Sequence, residues 1–261
     1  MRETALDFYD SLAPHYHLLF GDWNESIERQ ARVLASLLAS QGLDAPLKIL
    51  DCACGIGTQA LGFAMRGHRV TASDLSAEAV ARARREAQDR QLDISFHISD
   101  MASLLEIAED GFDVVAALDN ALPHLTPIQL NHAVHAMGSK LRPGGWFLAS
   151  MRDYDALILE KPTVQGPAYY GGQPERRIVH QLWDWIESRK YIVHLYITIH
   201  KGADWVTHHF ASEYRCLERQ ELSSTLAMAG FKEIRWLMPA ESGFYQPIVL
   251  AQKPPTRERR R

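Results

Sequence analysis

The chain has 261 residues, 46% hydrophobic and 23% charged, with a formal net charge of −4. These are the proportions of an ordinary folded protein near the size where one domain gives way to two, so one domain with a large insertion is as natural as two domains. The slight negative charge argues against a nucleic-acid binder, no apolar run reaches membrane-spanning length, and Cys52, Cys54 and Cys216 are too few for a disulfide framework.

The opening stretch "MRETALDFYDSLAPHY" lacks the apolar middle of a signal peptide, which leads us to expect a cytoplasmic protein. From Ser26 to Gln41, Ile27, Ala31, Val33, Leu34, Leu37 and Leu38 recur at the spacing of an amphipathic helix. "LKILDCA" reads as a buried strand ending in a turn, "GTQALGFAMRGH" as a helix closed by Gly67, and "RVTASDLS" as a second strand with an acidic end. "SAEAVARARREAQDRQ" predicts a helix capped by Ser76, and "ISFHISD" and "FDVVAALDN" predict two more strands. A further helix, a Pro-Gly-Gly turn from Pro143 to Gly145 and a strand ending near Met151 complete an alternation that indicates an α/β, doubly wound sheet.

The pattern then changes. Three strand-like runs between Arg176 and Cys216, joined by short turns, predict an antiparallel three-stranded meander inserted before the sheet resumes with one helix and the strands "FKEIRWLMP" and "QPIVLAQK". The closing "TRERRR" reads as a solvated, frayed tail.

In an open α/β sheet ligands bind beyond the carboxyl ends of the strands. Gly55 and Gly57 let the first turn approach a ligand closely, and Asp74 at the end of the next strand suits a ribose diol. The spacing "GIGTQA" leaves NAD open, whereas the missing Gly-Lys-Ser/Thr excludes a P-loop. Cys52 and Cys54 have no second ligand pair nearby, so no metal is expected.

Taken as a whole, "LDCACGIGT", "SDLS", the "SD" before Met101 and "LRPGGWFL" resemble, in order and at suitable distances, the motifs of the class I S-adenosylmethionine-dependent methyltransferases. The resemblance implies a mostly parallel seven-stranded Rossmann-like sheet and S-adenosylmethionine as methyl donor. It places Ala53, Gly55 and Gly57 against the donor, Asp74 and Leu75 at its ribose, and Asp100, Met101 and Leu118 around its adenine side, with structural cysteines.

Past the fourth strand, "LDNALPHL" and "MRDYDALI" are similar to segments of glycine and sarcosine N-methyltransferases, which implies that Asn120 and Arg152 hold an acceptor's carboxylate. By the residues alone, a surface ion pair of Arg152 with Asp153 or Asp155 is the alternative, and the substrate role is the favoured one. The same likeness brings His124 near the donor, Tyr170, with Tyr169 as a weaker alternative, to the acceptor, and Tyr9 and Tyr16 to a segment closing over the donor; Tyr170 or His124 is the expected recipient of the amine's proton. Each of these has a packing role as its competitor. Where those enzymes place an arginine for the methionine carboxylate, this chain has Ser26, with Arg29 one turn later.

The expected organisation is an N-terminal helical segment over 1–45, a donor-binding α/β domain over 46–156 and 217–253, an acceptor cap over 157–216, and a disordered basic tail over 254–261. The expected activity is methyl transfer to the nitrogen of a small amine or amino acid, with a small-molecule acceptor, no nucleic-acid or membrane partner, and a homo-oligomer left open. The Trp and His content of the meander suits an acceptor larger than glycine. An O- or C-methyltransferase, an RNA methyltransferase with a basic channel, and a non-catalytic donor-binding protein stand as alternatives.

Overall fold

The computed structural model describes residues 4–44, 46–172 and 175–255; most of the basic tail, 256–261, lies outside them. A seven-stranded sheet is built from β1 (Lys48–Asp51), β2 (Arg69–Asp74), β3 (Ile94–Ile98), β4 (Phe112–Ala117), β5 (Leu141–Ser150), β10 (Lys232–Leu237) and β11 (Ile248–Gln252), in the order β10-β11-β5-β4-β1-β2-β3. Only β11 runs against its neighbours, and the others are mutually parallel. This is the α/β, doubly wound, mostly parallel arrangement anticipated from the sequence.

Helices cover both faces. α2 (Trp23–Ala39), α3 (Thr58–Met65) and α4 (Ala77–Asp89) pack on one side around Ile49, Ala60, Leu61 and Ala83, while α5 (Pro127–Lys140) and α7 (Arg219–Met228) pack on the other around Leu50, Val134 and Leu222. Ile49 and Leu50 thus face opposite cores, as the two-residue period of a strand buried on both sides requires. Burying each such side chain contributes on the order of 2 kcal/mol. The helix starts are locally encoded. Ser76 Oγ accepts from Ala79 N, as anticipated, and Thr126 with Gln129 forms a capping box in front of α5.

Two differences from the sequence reading bear on the site. The inserted sheet has four antiparallel strands rather than three: β6 (Val164–Tyr170) joins β7 (Arg177–Glu187), β8 (Lys190–Lys201) and β9 (Asp204–Arg215) in the order β6-β7-β8-β9. The Pro143–Gly145 segment is not a free turn but lies within β5, absorbed by a register shift against β4, with Gly144 at φ +76°. At the front, α1 (Ala5–Leu12) and a 3₁₀ turn at Tyr16–Leu19 precede α2. Among the described residues no helix is long and apolar enough to cross a membrane.

The front segment is fastened to the inserted sheet. Arg177 on β7 donates to the carbonyls of Leu18 (2.9 Å), Phe20 and Gly21 (3.1 Å), and the His15 and His208 ring centres lie 4.1 Å apart with the rings tilted by 32°. The carboxyl ends of β1, β2, β4 and β5 open beneath this double cover.

Candidate active site

Two cavities lie at these strand ends. The first, of about 300 Å³, is lined by the turn after β1, by Asp74, Leu75 and Ser76 after β2, by Asp100 and Met101 after β3, by Leu118, Asp119 and His124 after β4, and by Tyr9 and Tyr16 from the front segment. The second, of about 650 Å³, lies under the inserted sheet, lined by Asn120, Arg152, Gln181, Trp183, Tyr214 and Gln246 among others. Tyr9, Tyr16 and Asp119 line both cavities.

In the first cavity Gly55 sits at φ +52° with nothing within 4 Å of the position its Cβ would take, so the backbone is open to a ligand there. Its N–H donates to Asp74 Oδ2 at 2.8 Å, and Ser76 N donates to Asp74 Oδ1 at 2.9 Å, which fixes the carboxylate. Burial raises the Asp74 pKa above the usual carboxylate value, and the amides of Ser76 and Gly55 act against that rise. Asp100 is held in the same way by Ala102 N at 2.8 Å.

The three carboxylates Asp74, Asp100 and Asp119 line this cavity, and no lysine or arginine does among the described residues, so it suits a cationic ligand. Behind it lies Asp51, fully buried, with Oδ2 lacking a hydrogen-bond partner among the described residues; burial lifts its pKa to about 7. Cys52 and Cys54 are buried free thiols whose pKa values burial pushes well up, which fits a packing role.

Gly57 departs from expectation. It does not line the cavity; at φ +97° it precedes α3, and a Cβ there would stand 3.2 Å from that of Ala83, so the structure gives it to the packing of α3 on α4. Ser26 does not reach the cavity either, and Arg29 is exposed. Instead Gln59 lines the wall and donates to Gln30 Oε1 at 2.8 Å, while Gln30 donates to Ser26 Oγ at 3.1 Å. This buried amide chain was not anticipated, because glutamines on a helix carry no motif.

Tyr9 and Tyr16 are brought to the junction as expected. Tyr9 Oη lies 3.0 Å from His124 Nε2, and Tyr16 Oη donates to Asp119 Oδ2 at 3.0 Å. Burial, reinforced by Arg152, lowers the His124 pKa to about 3, leaving a neutral imidazole that is a poor proton acceptor.

In the second cavity Asp119 and Asn120 adopt the left-handed region at φ +54° and +67°, which short polar side chains tolerate best. The turn is secured by Ser150: Asp119 N donates to its Oγ (2.8 Å) and Asn120 N to its carbonyl (3.0 Å). Asn120 Oδ1 accepts from Arg152 N (3.1 Å) and Tyr154 Oη (3.0 Å), while its buried Nδ2 has no partner among the described residues.

Arg152 does not take the surface pairing. Asp153 and Asp155 pair with Arg219 instead, and Arg152 turns inward, donating to Tyr191 Oη at 2.8 Å with its guanidinium 4.8 Å from the Trp183 ring centre and 5.2 Å from that of Tyr214. Burial acts to lower its pKa, and the hydroxyls of Tyr191, Tyr154 and Tyr214 more than reverse this, so it stays charged. Tyr170 is not brought to the site. It lines neither cavity, its ring packing on Gly21 and under Arg177 at 5.0 Å, and Tyr169 is exposed.

Comparison with known proteins agrees with this architecture. Residues 49–145 match the family described as a methyltransferase domain. A rat (Rattus norvegicus) glycine N-methyltransferase is 28% identical over 155 residues, covering 55% of this chain and 52% of that protein. A ubiquinone biosynthesis O-methyltransferase from Alkalilimnicola ehrlichii is 34% identical over 103 residues, 40% of each chain. The chain thus spans about half the length of the curated glycine N-methyltransferase it matches.

Among solved structures, an S-adenosylmethionine-dependent methyltransferase from Clostridium acetobutylicum superposes with a TM-score of 0.75 at 16% identity, covering 94% of this chain and 99% of that one. A sugar N-methyltransferase from Streptoalloteichus does so with a TM-score of 0.74 at 16% identity, covering 92% of each. Residues 49–145 thus match a methyltransferase domain, and the fold of the chain is similar to that of solved S-adenosylmethionine-dependent methyltransferases. That class uses S-adenosylmethionine as its methyl donor.

Proposed function

We propose that the chain transfers a methyl group from S-adenosylmethionine to the nitrogen of a small amine or amino acid. The observation that carries the nitrogen and carboxylate reading is the inner wall of the second cavity: a buried arginine with no carboxylate partner among the described residues, beside an asparagine whose Nδ2 is unpartnered. A guanidinium fork and an amide donor together suit a carboxylate, and leaving such groups unmatched is costly. In this reading Asn120 and Arg152 hold the acceptor, 157–216 forms its cap, 1–45 closes over the donor, and 46–156 with 217–253 forms the donor-binding domain.

The residues of the first cavity fit the donor. Its acidic, arginine-free wall suits a ligand bearing a sulfonium and an ammonium, Gly55 leaves room for close approach, and Asp74 presents a fixed carboxylate to the ribose hydroxyls. Ala53, Leu75, Asp100, Met101, Leu118 and His124 complete that wall. When bound, the donor supplies an electrophilic methyl group on sulfur. The chain's own part is to hold the two ligands on either side of the Tyr9, Tyr16 and Asp119 junction and to exclude water, since a displacement that disperses charge depends mainly on alignment. His124 serves there as a neutral partner of Tyr9, not as a base.

The test is a screen of amines and amino acids for S-adenosylhomocysteine release, repeated with Arg152→Gln. With the acceptor found, the substitution raises its KM about 100-fold or more, from the roughly 3 kcal/mol of a charge-assisted bond, and leaves donor affinity within about threefold. Equal losses for donor and acceptor would exclude the assignment of Arg152.

A further inference from the structure

We propose that Asp119, which lies inside the "LDNALPHL" segment but received no role there, is the counter-ion that first binds the acceptor's amine as an ammonium, whose proton passes to solvent before closure so that the freed lone pair can take the methyl group, and that the amine stands on a bulky apolar body. This rests on the reading of the second cavity as the acceptor site. Asp119 is the one carboxylate lining both cavities among the described residues, so it stands where donor and acceptor must meet. Its oxygens are held by neutral donors only: Tyr16 Oη at 3.0 Å, Gln246 Nε2 at 3.4 Å, and the Tyr245 hydroxyl.

The other acids of the second cavity are differently placed. Asp153 is paired with Arg219, and Glu160 is exposed. At the neighbouring strand end Arg152 is likewise surrounded by neutral groups, and no ion pair joins it to Asp119. One cavity therefore presents two uncompensated charges of opposite sign, the negative one at the boundary with the donor and the positive one further in. A zwitterion complements both at once, with its nitrogen at the junction and its carboxylate at Arg152.

Size and lining define the rest of the ligand. A cavity of about 650 Å³ walled by Phe8, Leu12, Leu19, Phe20 and Trp183 is of the volume that holds a drug-sized molecule, far beyond glycine. An amino acid with a large apolar side chain fits in it with room to spare.

The experiment is equilibrium titration by calorimetry, in the presence of S-adenosylhomocysteine, with two half-ligands: phenethylamine, which has the amine alone, and 3-phenylpropanoate, which has the carboxylate alone. Wild type is expected to bind both. Asp119→Asn is expected to weaken phenethylamine at least tenfold and to change 3-phenylpropanoate less than threefold. Tyr16→Phe removes one neutral hydrogen bond from Asp119 but keeps its charge, and is expected to weaken phenethylamine clearly less than Asp119→Asn does.

Failure of phenethylamine to bind wild type, equal affinity for wild type and Asp119→Asn, a Tyr16→Phe loss as large as that of Asp119→Asn, or a greater loss of S-adenosylmethionine than of phenethylamine would each overturn the proposal. If Arg152→Gln leaves 3-phenylpropanoate binding unchanged, the carboxylate reading fails instead, and the role of Asp119 is still decided by the amine.

Discussion

Asp51 offers a sharp test of the electrostatics beneath the first cavity. Its side chain is fully buried, Oδ2 has no partner among the described residues, and burial raises its pKa to about 7 from the 3.8 of an exposed aspartate. Between about pH 4 and pH 7 the folded chain therefore holds a proton that the unfolded chain has released. The stability associated with that proton is fully present below the unfolded value and is lost as pH rises through about 7, at about 1.4 kcal/mol per pH unit and about 4 kcal/mol in all. Asp51→Asn removes this dependence. The asparagine Nδ2 inherits the unpartnered position, a penalty of about 1–3 kcal/mol that does not vary with pH.

Urea unfolding followed by circular dichroism at pH 5, 6, 7 and 8 measures the difference. Stability of the variant relative to wild type should climb by about 2 kcal/mol from pH 5 to pH 7 and then level off. Parallel stability curves, separated by a constant amount, would refute the reasoning.

His124 should show the opposite sign. Its folded pKa of about 3 lies below the unfolded 6.5, so its contribution is complete above pH 6.5 and is lost as pH falls toward 3. Relative to wild type, His124→Gln should gain about 1.4 kcal/mol per unit on acidification below pH 6.5 in the same assay. At the donor site, Asp74→Ala should weaken S-adenosylmethionine binding about 100-fold or more, two charge-assisted hydrogen bonds being lost. Calorimetry giving a change below threefold would remove Asp74 from the ribose.

The strands that build the donor site were legible because each is a short apolar run closed by an acid or glycine: "KILD", "RVTASD" and "FDVVAA" are buried where they were expected. β6 escaped notice because "VQGPAYY" is interrupted by Gly166 and Pro167 and is mostly exposed at an edge, so neither apolar alternation nor propensity marks it. α6 (Tyr154–Glu160) is only seven residues long, too short for a helical period to declare itself.

Asp74, Asn120 and Arg152, each marked by a motif or a strand end, line the two cavities. The competing pairing of Arg152 was settled only by Arg219, some 66 residues away from Asp153, a partner no local pattern could name. Tyr170 was nominated by a local likeness, but β6 directs its ring onto Gly21. Asp119 was overlooked because its significance comes from where β4 ends relative to two cavities, a property of the sheet rather than of the peptide.

Tyr9 and Tyr16 belong to the walls of both cavities, and Arg177 staples the stretch just beyond them to the inserted sheet. A single door then serves two rooms. In the proposed reading, a spent nucleoside in one cavity and a methylated product in the other share Tyr9 and Tyr16 as a wall, so that displacing this segment to release one also uncovers the other. An acceptor that is to be methylated twice must either rebind or wait with the door ajar.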